Sequence, residues 1–160
     1  MPAPVAVAIW SAIARATACS SSNSSGDLGD VNWTGVLAAF IALVLLGGVW
    51  FTFLFSKPYN ISLGRDASAK PVASPLFFAG PPLTSLVITL TSAFLLAVLK
   101  IDSWADALVF GLVVGVGYLV ANTVTIAINP NFPRPLQYAL VSGGYNLVGS
   151  VLVSTVLVVI

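Results

Sequence analysis

The side chains that could do chemistry in this sequence are hydroxyls and amides at helical spacing within long apolar runs. Ser142, Asn146 and Ser150 recur every four residues, which places them along one face of a helix. Two further sets follow the helical period in the preceding runs, namely Tyr118, Asn122 and Thr125 in one and Ser85, Thr89 and Ser92 in the other. The chemistry that such groups offer is hydrogen bonding without charge.

Two functions are open for these polar stripes. If they face one another across a hydrated space, they could line a path for a solute or for water. The simpler interpretation is hydrogen bonding between helices, each bond contributing about 0.6 kcal/mol on average. We favour the simpler one, because no charged residue enters any of these runs.

The sequence does not favour an enzyme. It contains no histidine, the commonest general base. Its single cysteine, Cys19, cannot form an internal disulfide. Asp102 and Asp106 could be mistaken for an acid pair, but Ser103 followed by Asp106 is typical of a capping box at the start of a helix. We therefore predict no catalytic residue, no metal site and no cofactor.

Composition identifies the solvent of these helices as lipid. Of the 160 residues, 58% are hydrophobic and 7% are charged, and the mean hydropathy is +1.03. One small water-soluble core cannot bury that much apolar surface. The net charge of +1 comes from scattered residues and forms no basic patch, so we expect the lipid bilayer and not nucleic acid as a partner.

Four apolar segments predict four membrane-spanning helices in an all-α, up-down antiparallel bundle. They cover about 33–55, 82–99, 108–128 and 136–160, or roughly 27 to 37 Å each as α-helix against about 30 Å of hydrocarbon. We place the start of the second span at Pro82, where a missing N–H costs little. Residues 31–160 therefore form the membrane domain, and residues 1–30 a leader or an interfacial or disordered segment.

Aromatic and small residues mark the ends and the contacts of these spans. Four aromatic side chains are predicted to anchor the helices at the bilayer interface: Trp33, Trp50, Tyr59 and Trp104. Five small residues are predicted to let helices approach closely: Gly47, Gly48, Ala107, Gly111 and Gly115. The spacing of the last three suits either packing within one bundle or a homodimer seam, and we favour packing within the bundle.

Positive charge predicts the orientation. Four basic residues lie in the connectors after the first and third spans, namely Lys57, Arg65, Lys70 and Arg134, whereas only Arg15 and Lys100 lie on the other side. The positive-inside rule then places these two connectors in the cytoplasm and both termini outside. The small residues before Cys19 leave a cleaved or lipidated leader open as an alternative to a retained segment.

The motifs of the first span and the later segments resemble a known family. Asn32-Trp33 opens the span, Gly48 and Trp50-Phe51 close it, and Phe55-Ser56-Lys57 forms the turn. With Asn122 to Pro135 and Gly143-Gly144-Tyr145-Asn146, this order is similar to the small four-helix membrane family known as domain of unknown function 1761, over about 31–157. Its members usually carry Trp-Tyr where this chain has Trp50-Phe51. The resemblance implies a four-helix membrane fold and no activity.

From these observations we expect a non-enzymatic scaffold, accessory or assembly subunit with a membrane-protein partner or a second copy of itself. The alternative is a small transporter or channel, either monomeric or dimeric, whose polar path runs between the second, third and fourth spans.

Overall fold

A computed structural model describes residues 31–69 and 74–160, and every element within these residues is a helix. The predicted leader over 1–30, including Cys19, and Lys70 lie outside the described residues. We label the helices α1 (Trp33–Leu54), α2 (Ser56–Ser62), α3 (Pro75–Val98), α4 (Trp104–Ala127) and α5 (Pro135–Val159). Four of them are long and apolar enough to cross a membrane, which confirms the predicted class.

Helix α1 begins at a side-chain cap. The side chain of Asn32 accepts hydrogen bonds from the backbone N–H groups of Thr34 at 3.0 Å and Gly35 at 3.3 Å. These donors have no partner within the helix, so the cap stabilises its first turn by about 1 kcal/mol. The last turn of α1, Trp50–Leu54, is π-helical, and the span ends one residue before the predicted Phe55.

Helix α3 corrects the prediction for the second span. It begins at Pro75, seven residues before Pro82, so that Pro81 and Pro82 lie inside the helix. Each proline removes one N–H donor, but the carbonyls concerned belong to the first residues of the helix. Because the loss is confined to that end, the helix continues through both prolines, as membrane helices commonly do.

Helix α4 begins four residues before the predicted start, because Ser103 caps it. The Ser103 hydroxyl oxygen accepts from the backbone N–H of Asp106 at 3.1 Å and donates to the Asp106 carboxylate at 2.8 Å. The capping interpretation of Asp106 is therefore confirmed. In the middle of α4, Gly115–Val120 is π-helical, between the α-helical segments Trp104–Val114 and Ala121–Ala127.

Helix α5 is the centre of the membrane domain and packs against every other helix. Along α1, Gly35 lies beside Leu157 and Gly47 lies beside Tyr145, so α1 and α5 are antiparallel. Along α4, Gly111 lies beside Ser154 and Gly115 beside Ser150, so α4 is also antiparallel to α5. The core cluster of Ala39, Leu43 and Val153 lies between α1 and α5, and Ile88 of α3 packs against it.

The connectors after α1 and α4 meet at one end of the bundle. Gly64 adopts φ +73°, a conformation that favours glycine, and a Cβ at this position would lie 2.9 Å from Cγ of Pro133. Asn60 is buried in the same connector, and its side-chain N–H donates to the carbonyl of Ala69 at 3.1 Å. This end of the bundle also contains the cavity described next.

Candidate functional site

A cavity of about 290 Å³ lies beside these connectors, between α1, α2, α4 and α5. Seven of its lining residues carry side-chain polar groups, namely Tyr59, Asn122, Thr123, Tyr138, Ser142, Tyr145 and Asn146. The other three are apolar: Phe51, Leu119 and Ile126. Two of these residues, Asn122 and Ile126, are exposed on α4, so the cavity opens on that side.

Aromatic rings form one wall of the cavity. The ring of Phe51 lies edge-on to that of Tyr59 with centroids 4.9 Å apart, and 5.1 Å from that of Tyr145. The Tyr59 and Tyr138 centroids are 6.1 Å apart. These spacings suit aromatic pairs. Ser85 of α3, predicted in a polar stripe, is buried and does not line the cavity.

Neutral polar groups form another part of the lining, the polar wall. The side-chain N–H of Asn146 donates to the Thr123 hydroxyl oxygen at 2.7 Å, and that hydroxyl donates to the Leu119 carbonyl at 2.7 Å. Ser142 is 8% exposed, and its hydroxyl has no hydrogen-bond partner among residues 31–69 and 74–160. Asn146 therefore joins α4 to α5, whereas Ser142 presents an unpaired hydroxyl to the cavity.

The stripe predicted on α4 does not face α5 as a whole. Tyr118 is 73% exposed, and Thr125 is exposed and donates to the carbonyl of Ala121 in its own helix. Asn122 reaches only the mouth of the cavity. The buried side of α4 instead consists of residues spaced by four or, across the half-buried Leu119, by eight: Ala107, Gly111, Gly115, Thr123 and Ala127.

The π-helical segment accounts for this correction. A regular α-helix has 3.6 residues per turn, so residues four apart drift around its axis. A π-helical turn contains more residues than an α-helical turn. Across Gly115–Val120, residues spaced four apart therefore return to the side of α4 that faces α5. The prediction assumed a regular helix, in which Tyr118, Asn122 and Thr125 share one side towards the other helices, whereas Thr123 is the polar residue on that side in the structure.

The other stripe residues contact helices or their own backbone. Ser150 is buried against Gly115, and a Cβ at Gly115 would lie 3.3 Å from Cβ of Ser150. Thr89 is buried and donates to the Ser85 carbonyl in its own helix at 2.8 Å. Ser92 is half-buried, and neither it nor Ser150 lines the cavity.

Four of the five small residues predicted for packing lie at or near helix contacts. Ala107, Gly111 and Gly115 are buried, and a Cβ at Gly111 would lie 2.8 Å from Cα of Val151. Gly47 packs against the ring of Tyr145. Gly48 differs, because a Cβ there would meet no atom within 4 Å.

The predicted anchors divide into two kinds. Trp33 and Trp104 are exposed at the first residues of α1 and α4. Trp50 is instead held within the bundle, where its indole N–H donates to the carbonyl of Val141 on α5 at 3.0 Å. Tyr59 lies in α2 and packs between Phe51 and Tyr138. Trp50 and Tyr59 are therefore packing residues as well as aromatic residues near a helix end.

The site is electrically neutral. Burial raises the pKa of the Tyr59 phenol above its usual 10.0, Tyr138 raises it further, and Arg65 partly opposes them. No Asp, Glu, Lys or Arg lines the cavity, and the described ranges contain no group of three potential metal ligands. The arrangement can hold a small uncharged molecule by stacking and hydrogen bonding. The sequence did not identify Thr123, Tyr145, Phe51 and Tyr138 as cavity residues, although Phe51 and Tyr145 were noted in two family motifs.

The fold and this site define a multi-pass helical membrane protein. The sequence matches the family described as "Protein of unknown function (DUF1761)" over residues 34–158, and the chain belongs to that family. The resemblance drawn from Asn32-Trp33 and the later motifs is thus confirmed. No protein with a curated description and no solved structure matches the chain.

Proposed function

We propose that this protein is a non-enzymatic accessory or assembly subunit that binds another membrane protein through the outer face of α4. The observation that carries the proposal is the position of Tyr118. This residue is 73% exposed in the interior of a span of 24 residues, and its hydroxyl has no hydrogen-bond partner in the part of the chain described. A phenol facing hydrocarbon is unfavourable, and a partner helix would supply the missing contact.

The packing of α4 supports the same proposal. Its substantial contacts with other long helices are with α5, whereas α1 contacts both α3 and α5. The opposite side of α4 presents exposed apolar residues, among them Val109, Leu112 and Val113. An outer face that combines apolar surface with one unpaired hydroxyl is suited to a protein partner more than to lipid alone.

Transport is the second candidate function, and the cavity is the observation that favours it. Ser142, Asn146 and Asn122 come together there, as a polar path would require. Further along the same pair of helices, however, Gly111 and Gly115 are in close contact with Val151 and Ser150. A solute would have to separate this seam to cross, which is why we prefer the accessory role.

We also propose that the connectors carrying Lys57, Arg65 and Arg134 face the cytoplasm and that both termini lie on the opposite side. The basic residues support this orientation through the positive-inside rule. The contact between Gly64 and Pro133 supports placing both connectors at the same membrane surface.

Photo-crosslinking in the native membrane tests the accessory role. A photoreactive residue replaces Val113, which is 60% exposed and about one turn before Tyr118. The matched control carries the same residue at Val87 on α3, which is 56% exposed. We expect a stoichiometric adduct with a second membrane protein from position 113 and not from 87, and a weaker adduct when Tyr118→Phe is added.

Three results would contradict the proposal. Adducts with lipid alone would leave the outer face of α4 without a partner, and adducts with a second copy would replace the accessory role by a homodimer. Solute flux into liposomes containing only this protein, abolished by Asn146→Leu, would favour the transporter.

A further inference from the structure

We propose that the cavity beside α2 binds an uncharged ring compound that carries hydroxyl groups. Tyr118 does not line this cavity, and ligand binding there would be a function in addition to the accessory role. The charge, the shape and the unpaired polar groups of the lining favour such a ligand.

The lining favours a ligand without charge. It holds hydroxyls, amides and aromatic rings but no carboxylate, ammonium or guanidinium group. A charged ligand would lose hydration there without gaining an opposite charge.

The aromatic wall favours a flat ring. The ring centroid of Phe51 lies 4.9 Å from that of Tyr59 and 5.1 Å from that of Tyr145, so the three rings present a continuous apolar surface. An inserted ring would meet these rings in edge-to-face or offset geometry. The volume of about 290 Å³ corresponds to about ten water molecules at their share of liquid volume, enough for a single substituted ring.

The polar wall specifies hydroxyl groups on the ligand. Asn146 uses its side-chain N–H on Thr123, and no donor in the described residues reaches its carbonyl oxygen. That oxygen can accept a hydrogen bond from a ligand. The Ser142 hydroxyl, 8% exposed and unpaired, can donate or accept. A ligand hydroxyl satisfies both groups at once, whereas a ring without a donor leaves the Asn146 oxygen unpaired.

Such a ring could arrive from water or as the headgroup of a lipid. The mouth beside Asn122 and Ile126 lies close to the C-terminal end of α4, where an interfacial headgroup and an aqueous solute can both reach it. The shared chemistry is the hydroxylated, uncharged ring, and the two sources are separated by experiment.

Binding is measured by saturation-transfer NMR on the full chain in lipid nanodiscs, with empty nanodiscs subtracted. The probe is hydroquinone. Its matched comparisons are 1,4-dimethoxybenzene, which lacks donors, 4-hydroxybenzoate, which is an anion, and tyramine, which is a cation. We expect saturable binding of hydroquinone and at least about tenfold weaker binding of the other three.

Two variants locate the site. Ser142→Ala removes the unpaired hydroxyl and should weaken hydroquinone binding by about 3- to 10-fold. Asn122→Leu alters only an exposed residue at the mouth and should also weaken it. The matched control is Ser154→Ala on the same helix, which removes a buried hydroxyl bonded to the Val151 carbonyl, away from the cavity, and should leave affinity unchanged.

A hydroquinone with an alkyl tail distinguishes the sources. Tighter binding of the tailed probe supports entry from the bilayer, and equal binding supports entry from water. The proposal is overturned if hydroquinone does not bind saturably, if the ions or the dimethoxy compound bind equally well, or if neither Ser142→Ala nor Asn122→Leu weakens binding. Because the chain is tested without a partner, these outcomes are independent of the crosslinking result for α4.

Discussion

The side-chain amide of Asn146 donates a 2.7 Å hydrogen bond to the hydroxyl of Thr123 and so joins the two helices that form the polar wall of the cavity. Asn146 belongs to a stripe that is visible in the sequence, whereas Thr123 does not belong to the stripe predicted for α4. The bond therefore shows both what helical spacing can predict and where it fails.

The Asn146–Thr123 bond should stabilise the bundle measurably. We expect Thr123→Val and Asn146→Leu each to lower the free energy of unfolding, with a coupling energy of about 0.6 kcal/mol between them in a double-mutant cycle. Unfolding in mixed detergent micelles measures these values. Thr125→Val is the control, because Thr125 is exposed and bonds within its own helix, and it should leave stability nearly unchanged. Additive effects of the two cavity substitutions would contradict the coupling.

The spans were predictable because they depend on the summed hydrophobicity of many residues. Local backbone geometry was not predictable in this way. Apolar runs located α1 and α5 to within one residue at each end. The starts of α3 and α4 were wrong because a proline pair was taken as a start and the cap at Ser103 was not used to place one. A capping residue is a local signal that could have corrected α4.

The side that each polar residue faces was less predictable. Ser142 and Asn146 do lie at the cavity, since α5 is a regular α-helix throughout. Tyr118 lies on the outside because a π-helical segment changes the residues per turn of α4, and nothing in the sequence announced that change. Trp50 likewise has the residue type and position of an interfacial anchor, but its indole N–H donates to the Val141 carbonyl on α5.

The seam between α4 and α5 should tolerate no added methyl group at Gly111. A Cβ there would clash with the Ser154 hydroxyl oxygen and would lie 2.8 Å from Cα of Val151, which is backbone and cannot rotate away. We expect Gly111→Ala to lower the free energy of unfolding by about 1–3 kcal/mol through overpacking.

Gly48→Ala and Gly117→Ala are the matched controls for Gly111→Ala. Both glycines lie within spans, and an added Cβ would meet no atom within 4 Å at either position. Since alanine favours helix over glycine, we expect stability equal to that of the parent or higher by up to roughly 1 kcal/mol. Equal losses at all three positions would show that the effect is not specific to the α4–α5 seam.

The stability of the connector end should fall at alkaline pH because of Tyr59. Its folded-state pKa is raised above 10.0, first by burial and then by Tyr138. The folded state thus holds this proton more tightly than the unfolded state, so the contribution is complete below the unfolded pKa and is lost as pH rises through the folded pKa. Tyrosinate absorbance and unfolding, both followed against pH, measure it. Tyr59→Phe should remove this part of the alkaline loss, and an unchanged pH profile would contradict the assignment.

The orientation of the bundle can be tested by labelling single cysteines in a Cys19→Ser background. Cysteines at Ser68 and Asn131 report on the two connectors that meet at Gly64 and Pro133, and one at Asp102 reports on the connector between α3 and α4. All three positions are exposed. We expect a membrane-impermeant maleimide added outside intact cells to label position 102 and to reach 68 and 131 only after lysis, because the basic residues favour a cytoplasmic location for those connectors. Labelling of 68 and 131 in intact cells would reverse the orientation, and labelling of one without the other would contradict their placement at the same membrane surface.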